Sequence, residues 1–260
     1  MNPLPALLLT VFLCAPLTQP AQAAPTVLTA ADGAQVFADY SPAAPAAPGN
    51  ATAKAPLIVA FHQAGSNRSE YAPLLPRLNQ AGFNVLTIDQ RSGGNAFGGK
   101  NQTVTALGKS TAYAAALPDM EAALAWAKTQ AAGAPVIVWG SSYSAALVFV
   151  LAAKHPADVQ GLLAFSPGEY LGSSSAVRSA AQKLSVPVFM TQSGESKEID
   201  SARRILDALA LVPATDKQQF IPRQGGVHGS STLRTDRNAA GAEENWAAVL
   251  GFLGKFKAGK

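Results

Sequence analysis

Two kinds of hydrophobic pattern alternate along this chain. The first is a short, nearly unbroken apolar run, seen at 56–61, 83–88, 136–139, 159–165 and 186–191. Runs of this length, rich in β-branched and aromatic residues, read as strands covered on both faces of a parallel sheet. The second kind has apolar residues every three or four positions, which is the spacing of one face of a helix. It is clearest at 117–130, where Met120, Ala123, Leu124 and Ala127 fall on one side, and it recurs at 69–80, 144–153, 176–184, 201–212 and 242–257. Two strand-like pieces flank Asp32-Gly33 between residues 26 and 40, a dipeptide suited to a hairpin turn, and 218–222 supplies a last strand. Strands alternating with helices predict an α/β fold of three layers around a mostly parallel sheet. The stretches 41–56, rich in Pro, Ala and Gly, and 95–105, polar with Gly98-Gly99, read as surface loops.

Composition narrows the class. With 260 residues, 48% hydrophobic and 14% charged, the chain can bury one core of ordinary to large size. A net charge of +4 is mild, and the basic residues are scattered except for Lys255, Lys257 and Lys260, so there is no nucleic-acid footprint. Residues 1–23 read as a signal peptide: 6–17 is largely apolar, and Ala21-Gln22-Ala23 is a small-x-small cleavage pattern, although no Lys or Arg precedes the run. The run is too short for a membrane span. Cleavage would leave a single domain over 24–260, destined for a periplasm or the medium. It would also remove Cys14, the one cysteine, leaving neither disulfides nor a thiol nucleophile.

Candidate chemistry centres on Gly140-Ser141-Ser142-Tyr143-Ser144, which joins the 136–139 run to an apolar helix stopped by His155-Pro156. A sharp strand-to-helix turn needs small residues two positions either side of its apex, and Gly140 and Ser144 provide them around Ser142. These serines could instead serve as ordinary helix caps. As a G-x-S-x-G elbow with its last glycine replaced by serine, the stretch resembles the nucleophile turn of the α/β-hydrolase family.

The resemblance implies further roles. The oxyanion-binding amides would be those of Tyr143, just after the nucleophile, and of Ala64 or, second, Gln63, which stands where the family has glycine in its His-Gly-x pattern. His62, at the start of that pattern, is expected to be structural. The triad acid belongs to the loop 192–200, where Glu195 is the first choice and Glu198 the second, with Glu169 as an outside candidate. His228, between glycines after the last strand, fits the base: the order Ser, acid, His excludes His62 and His155. Asp89-Gln90-Arg91 matches a pattern that usually braces loops, with Arg91 holding a substrate carboxylate as the alternative.

Only about 20 residues separate the runs ending at 165 and beginning at 186, too few for a helical cap domain. The branch most similar is that of small cap-less dienelactone hydrolases and carboxylesterases. Dienelactone hydrolases proper use cysteine, and this chain has serine. The expected activity is that of an exported serine hydrolase acting on a small-molecule ester, with no cofactor or metal, because neither a metal-ligand spacing nor a dinucleotide fingerprint is present. The alternatives are an exported peptidase of the same fold and a non-catalytic binding protein. The departures at Gln63, Ser144 and the acid register keep the latter open.

Overall fold

The structure, a computed structural model, describes residues 24–45 and 54–257. The signal-peptide expectation for residues 1–23 lies outside the described residues. Eight strands form one sheet: β1 (Ala24–Thr29), β2 (Gln35–Ser41), β3 (Leu57–Phe61), β4 (Asn84–Ile88), β5 (Val136–Ser141), β6 (Gly161–Phe165), β7 (Val188–Thr191) and β8 (Lys217–Phe220). Their order is β1-β2-β4-β3-β5-β6-β7-β8, and only the β1–β2 and β2–β4 pairings are antiparallel. Every residue of β3, β5 and β6 is buried, which explains why those segments, Ser141 at the end of β5 apart, carry no polar side chain rather than alternating.

The helices are α1 (Leu75–Gln80), α2 (Gln102–Leu107), α3 (Leu117–Ala131), α4 (Tyr143–Lys154), α5 (Ala176–Ala181), α6 (Ser196–Ala208) and α7 (Ala242–Leu253). Alternate residues of the central strands β3–β7 feed two separate cores. Val59 and Phe61 pack with Met120, Leu147 and Ile205 from α3, α4 and α6, whereas Ile58 and Ala60 pack with Leu78 of α1 and Trp246 and Phe252 of α7. This is the expected three-layer arrangement. The β6–β7 connection carries only α5 and turns, and no cap domain is present among the described residues.

Three elements differ from expectation, each for a local reason. The helix expected over 69–80 is a 3-10 turn at Arg68–Glu70 followed by the short α1, because Pro73 and Pro76 lack amide donors; the 3-10 turn is capped by Asn67, which accepts from the Ser69 N–H. The loop expected over 95–105 gives way at Gln102 to α2, whose start is capped by the Asn101 side chain on the Val104 N–H at 2.8 Å and whose end is Gly108 in the left-handed region. Helix α6 begins at Ser196, more than a turn before residue 201, and this early start decides the chemistry of the loop ahead of it.

Candidate active site

Strand β5 ends at Ser141 and α4 begins at Tyr143, so a single residue, Ser142, reverses the chain direction. It does so with φ 58° and ψ −119°, a conformation that costs a non-glycine residue of order 1–3 kcal/mol. The surrounding packing enforces it. The Ser142 N–H donates to the Phe165 carbonyl of β6 at 2.8 Å, and strand and helix cross so closely that a Cβ on Gly140 would fall on the Ser144 carbonyl and the Ala145 nitrogen. The close neighbour of Gly140 is thus the backbone of Ser144. Its side chain turns away, donating to the His62 carbonyl at 2.6 Å and accepting from Gln90 Nε2 at 3.0 Å, so a serine is accommodated where the family pattern has glycine.

His228 reaches the same turn from the loop after β8. Its Nε2 lies 2.8 Å from Ser142 Oγ and its Nδ1 lies 2.7 Å from Glu198 Oε1. The carboxylate can only accept, so Nδ1 carries the proton in the neutral ring and Nε2 is left to accept from the serine hydroxyl. The hydrogen bond to Glu198 is the main cause pushing the His228 pKa up, against the effect of burial. Burial would raise the pKa of Glu198, but the bonds from His228 and from the Ser193 N–H outweigh it and hold the carboxyl at about 2. Next to the histidine, Gly229 sits at φ 69°, where a Cβ would stand 2.5 Å from Ser141 Oγ, and its N–H donates to Ser166 Oγ at 2.9 Å. The loop is therefore fastened directly behind the imidazole.

Several expected residues stand elsewhere. Glu195, the first choice for the acid, is the exposed N-cap residue of α6, and the carboxylate on His228 is Glu198. Because the helix starts at Ser196, Glu198 is its third residue, and its side chain folds back to accept from the Ser193 N–H at 3.0 Å while its other oxygen meets His228. Glu169 is also excluded, since it accepts from the N–H groups of Val177 and Arg178 at 2.8 and 3.1 Å and pairs with the Arg178 side chain. The Gln63 amide is not a free oxyanion donor, because it donates to Glu70 Oε2 at 2.8 Å. The amides of Ala64 and Tyr143 have no partner among the described residues, Tyr143 being the first residue of α4.

Arg91 does not present a charge to a substrate. Its guanidinium is bonded to Asp119 at 2.7 and 2.9 Å and to both oxygens of Asp32, which makes it a brace between α3 and the β1–β2 turn. His62 is wholly buried, with Nε2 accepting from the Gln90 N–H at 2.9 Å; burial lowers its pKa to about 4 and keeps the ring neutral. His155 bonds Glu121 at 2.9 Å at the far end of α4. Ser166, buried just after β6 with φ 55°, supports the His228 loop and was not singled out from the sequence, where a serine after a strand carries no signal. Among the described residues no cluster of three His, Cys, Asp or Glu side chains is arranged to hold a metal, and no helix is long and apolar enough to cross a membrane.

A serine forced onto a strained strand-to-helix turn, and bonded there by a histidine from beyond the last strand, is the layout of an α/β hydrolase. The chain belongs to the family whose model is described as Hydrolase_4, serine aminopeptidase, S33, which matches residues 52–209. Solved structures agree in fold. An esterase of Pyrococcus furiosus superposes with a TM-score of 0.67 at 16% identity, covering 90% of this chain and 93% of that one. A putative dienelactone hydrolase of Klebsiella pneumoniae gives 0.65 at 17%, covering 90% and 99%. A thermostable carboxyl esterase of Bacillus coagulans gives 0.64 at 11%, covering 91% and 99%. Comparison with curated proteins finds no match.

Proposed function

We propose that the protein is an exported serine hydrolase that cleaves small carboxylic esters through an acyl-enzyme. The observation that carries this reading is the unbroken line Ser142 Oγ to His228 Nε2 at 2.8 Å and His228 Nδ1 to Glu198 at 2.7 Å. A binding protein of this fold would have no need of that contact. His228 Nε2 takes the proton as Ser142 Oγ attacks the ester carbonyl carbon, and the amides of Tyr143 and Ala64 receive the negative oxygen. The tetrahedral intermediate collapses, the C–O bond breaks, and His228 returns the proton to the departing alcohol. Water, deprotonated by His228, then attacks the acyl carbon and restores Ser142. Glu198 remains ionised throughout and stabilises the imidazolium. The esterases and the dienelactone hydrolase among the structural neighbours support the choice of ester as substrate.

The test is hydrolysis of p-nitrophenyl acetate and butyrate by the protein and by Ser142→Ala and His228→Ala, with fluorophosphonate labelling mapped by mass spectrometry. Turnover lost in both variants, with the label on Ser142, is expected; a wild type that neither turns over nor takes the label would sink the reading. Because the family is described as one of serine aminopeptidases, alanine p-nitroanilide belongs in the same assay. Cleavage of the anilide in preference to the esters would replace the esterase reading by a peptidase one. Export is checked separately by N-terminal sequencing of the secreted or periplasmic protein, with Ala24 expected first.

A further inference from the structure

Behind the Ser142 turn lies a second carboxylate. Glu70 belongs to the 3-10 turn that follows the oxyanion loop, and none of its surface reaches solvent. Its Oε1 accepts from Ser141 Oγ at 2.6 Å and its Oε2 from the Gln63 N–H at 2.8 Å. Ser141 Oγ in turn accepts from the Ser230 N–H at 2.9 Å. One carboxylate therefore connects the residue before Ala64, the residue before Ser142 and the second residue after His228.

The direction of the Gln63 and Ser230 bonds is fixed, because backbone amides can only donate. Ser230 occupies one lone pair of Ser141 Oγ, the Ser141 hydroxyl donates to Glu70 Oε1, and Gln63 occupies the other carboxyl oxygen. Both bonds are ones that an ionised carboxylate accepts. Burial pushes the Glu70 pKa up, opposed chiefly by the bond from Ser141, and no salt bridge to Glu70 is found among the described residues. A buried anion without an ion-pair partner is costly, and such groups are kept where their field is used. Four titratable or charged groups interact with its charge: Tyr71, next to it in the chain, Tyr143 of α4, Arg234 after the 229–233 turn, and His228. Burial keeps both tyrosines neutral, and Arg234 is already bonded to Asp236 at 2.7 and 3.0 Å. Of the four, His228 is the one whose charge changes when Ser142 is deprotonated; Glu198 and Glu195 are the other acids acting on it.

We propose that Glu70 is a positioning residue of this site: it holds the oxyanion loop, the nucleophile turn and the base loop in register through its bonds to Ser141 and the Gln63 amide and, by way of Ser141, to Ser230. When ionised, it also favours the imidazolium form of His228. The proposal rests on the serine-hydrolase reading above. Two variants test it. Glu70→Gln keeps the shape, removes the charge and opposes the Ser141 hydroxyl with a donor; Ser141→Ala cuts the branch to Ser230 but keeps the charge. The readouts are the NMR titration of the His228 ring, assigned by its absence in His228→Ala, and kcat and KM for p-nitrophenyl butyrate. Glu70→Gln is expected to lower the His228 midpoint by at least about half a pH unit. It should also lower kcat about tenfold with KM nearly unchanged. Ser141→Ala should lower kcat at unchanged KM and leave the midpoint near the wild-type value.

A folded Glu70→Gln protein with wild-type midpoint and kcat overturns the proposal. Should Glu70→Gln not fold, wild-type kcat in a folded Ser141→Ala protein overturns it instead. The titration is read without substrate, so it decides the role of the Glu70 charge separately, whereas absence of turnover and label in the wild type counts against the hydrolase reading itself.

Discussion

Glu195 and Glu198 lie one helical turn apart on the same segment, and only Glu198 touches the histidine. Glu198→Gln should therefore lower kcat by about 10²–10⁴-fold through loss of the correct ring tautomer. Glu195→Gln should change kcat less than about threefold, since only a distant charge is lost. Equal losses in steady-state assays of the two would reject the assignment. The pH dependence follows from the same pair. The folded His228 pKa lies above the ordinary 6.5, so the charged pair stabilises the fold fully below pH 6.5, and that contribution fades as pH rises through the folded value. Glu198, held at about 2 against an ordinary 4.5, contributes stability present above 4.5 and lost as pH falls towards 2. Activity is expected to run opposite to the histidine's stability contribution, because in the proposed reaction His228 must be neutral to accept the proton. A profile of kcat/KM should rise with a midpoint above pH 6.5, and the midpoint should move down in Glu198→Gln; a midpoint that stays put would remove Glu198 from the mechanism.

At the scale of elements, the β5–α4 junction shows how packing stores strain at one residue. Gly140→Ala places a methyl against backbone of Ser144 and Ala145, which cannot rotate aside as a side chain could. A loss of about 2–4 kcal/mol is expected in denaturant unfolding. A near-neutral result would show that the helix can slide away from the strand. This junction was legible in the sequence because a buried strand, small residues and an apolar helix follow in order. Helix α2 was not legible: of its six residues only Val104 and Leu107 are large and apolar, Leu107 is exposed, and no stripe marks it. The start of α6 was equally hidden, since Ser193, Glu195 and Ser196 are all polar and no proline or hydrophobic step marks which residue begins the helix.

Across the whole molecule, two ion-pair braces fix the hairpin edge of the sheet to the loops beside the site. Arg68 joins Asp39 of β2 at 2.6 Å to Asp89 after β4, and Arg91 joins Asp32 in the β1–β2 turn to Asp119 of α3. Asp119 is fully buried, so Arg91→Met would strand its charge and should destabilise the fold by about 3–5 kcal/mol. Ester KM, measured well below the melting temperature, should stay the same; a raised KM at unchanged stability would return Arg91 to the substrate. The sequence alone determined the alternation of strand and helix, the place of Ser142 on its turn and the candidacy of His228, because periodicity, residue size and chain order are local or linear properties. Only the tertiary structure decided that Glu198 rather than Glu195 meets the histidine, that the Gln63 amide is taken by Glu70, and that Arg91 braces rather than binds. Each depends on where a loop or helix end stands relative to a segment distant in the chain, and a few ångströms there separate a hydrogen bond from a solvated side chain.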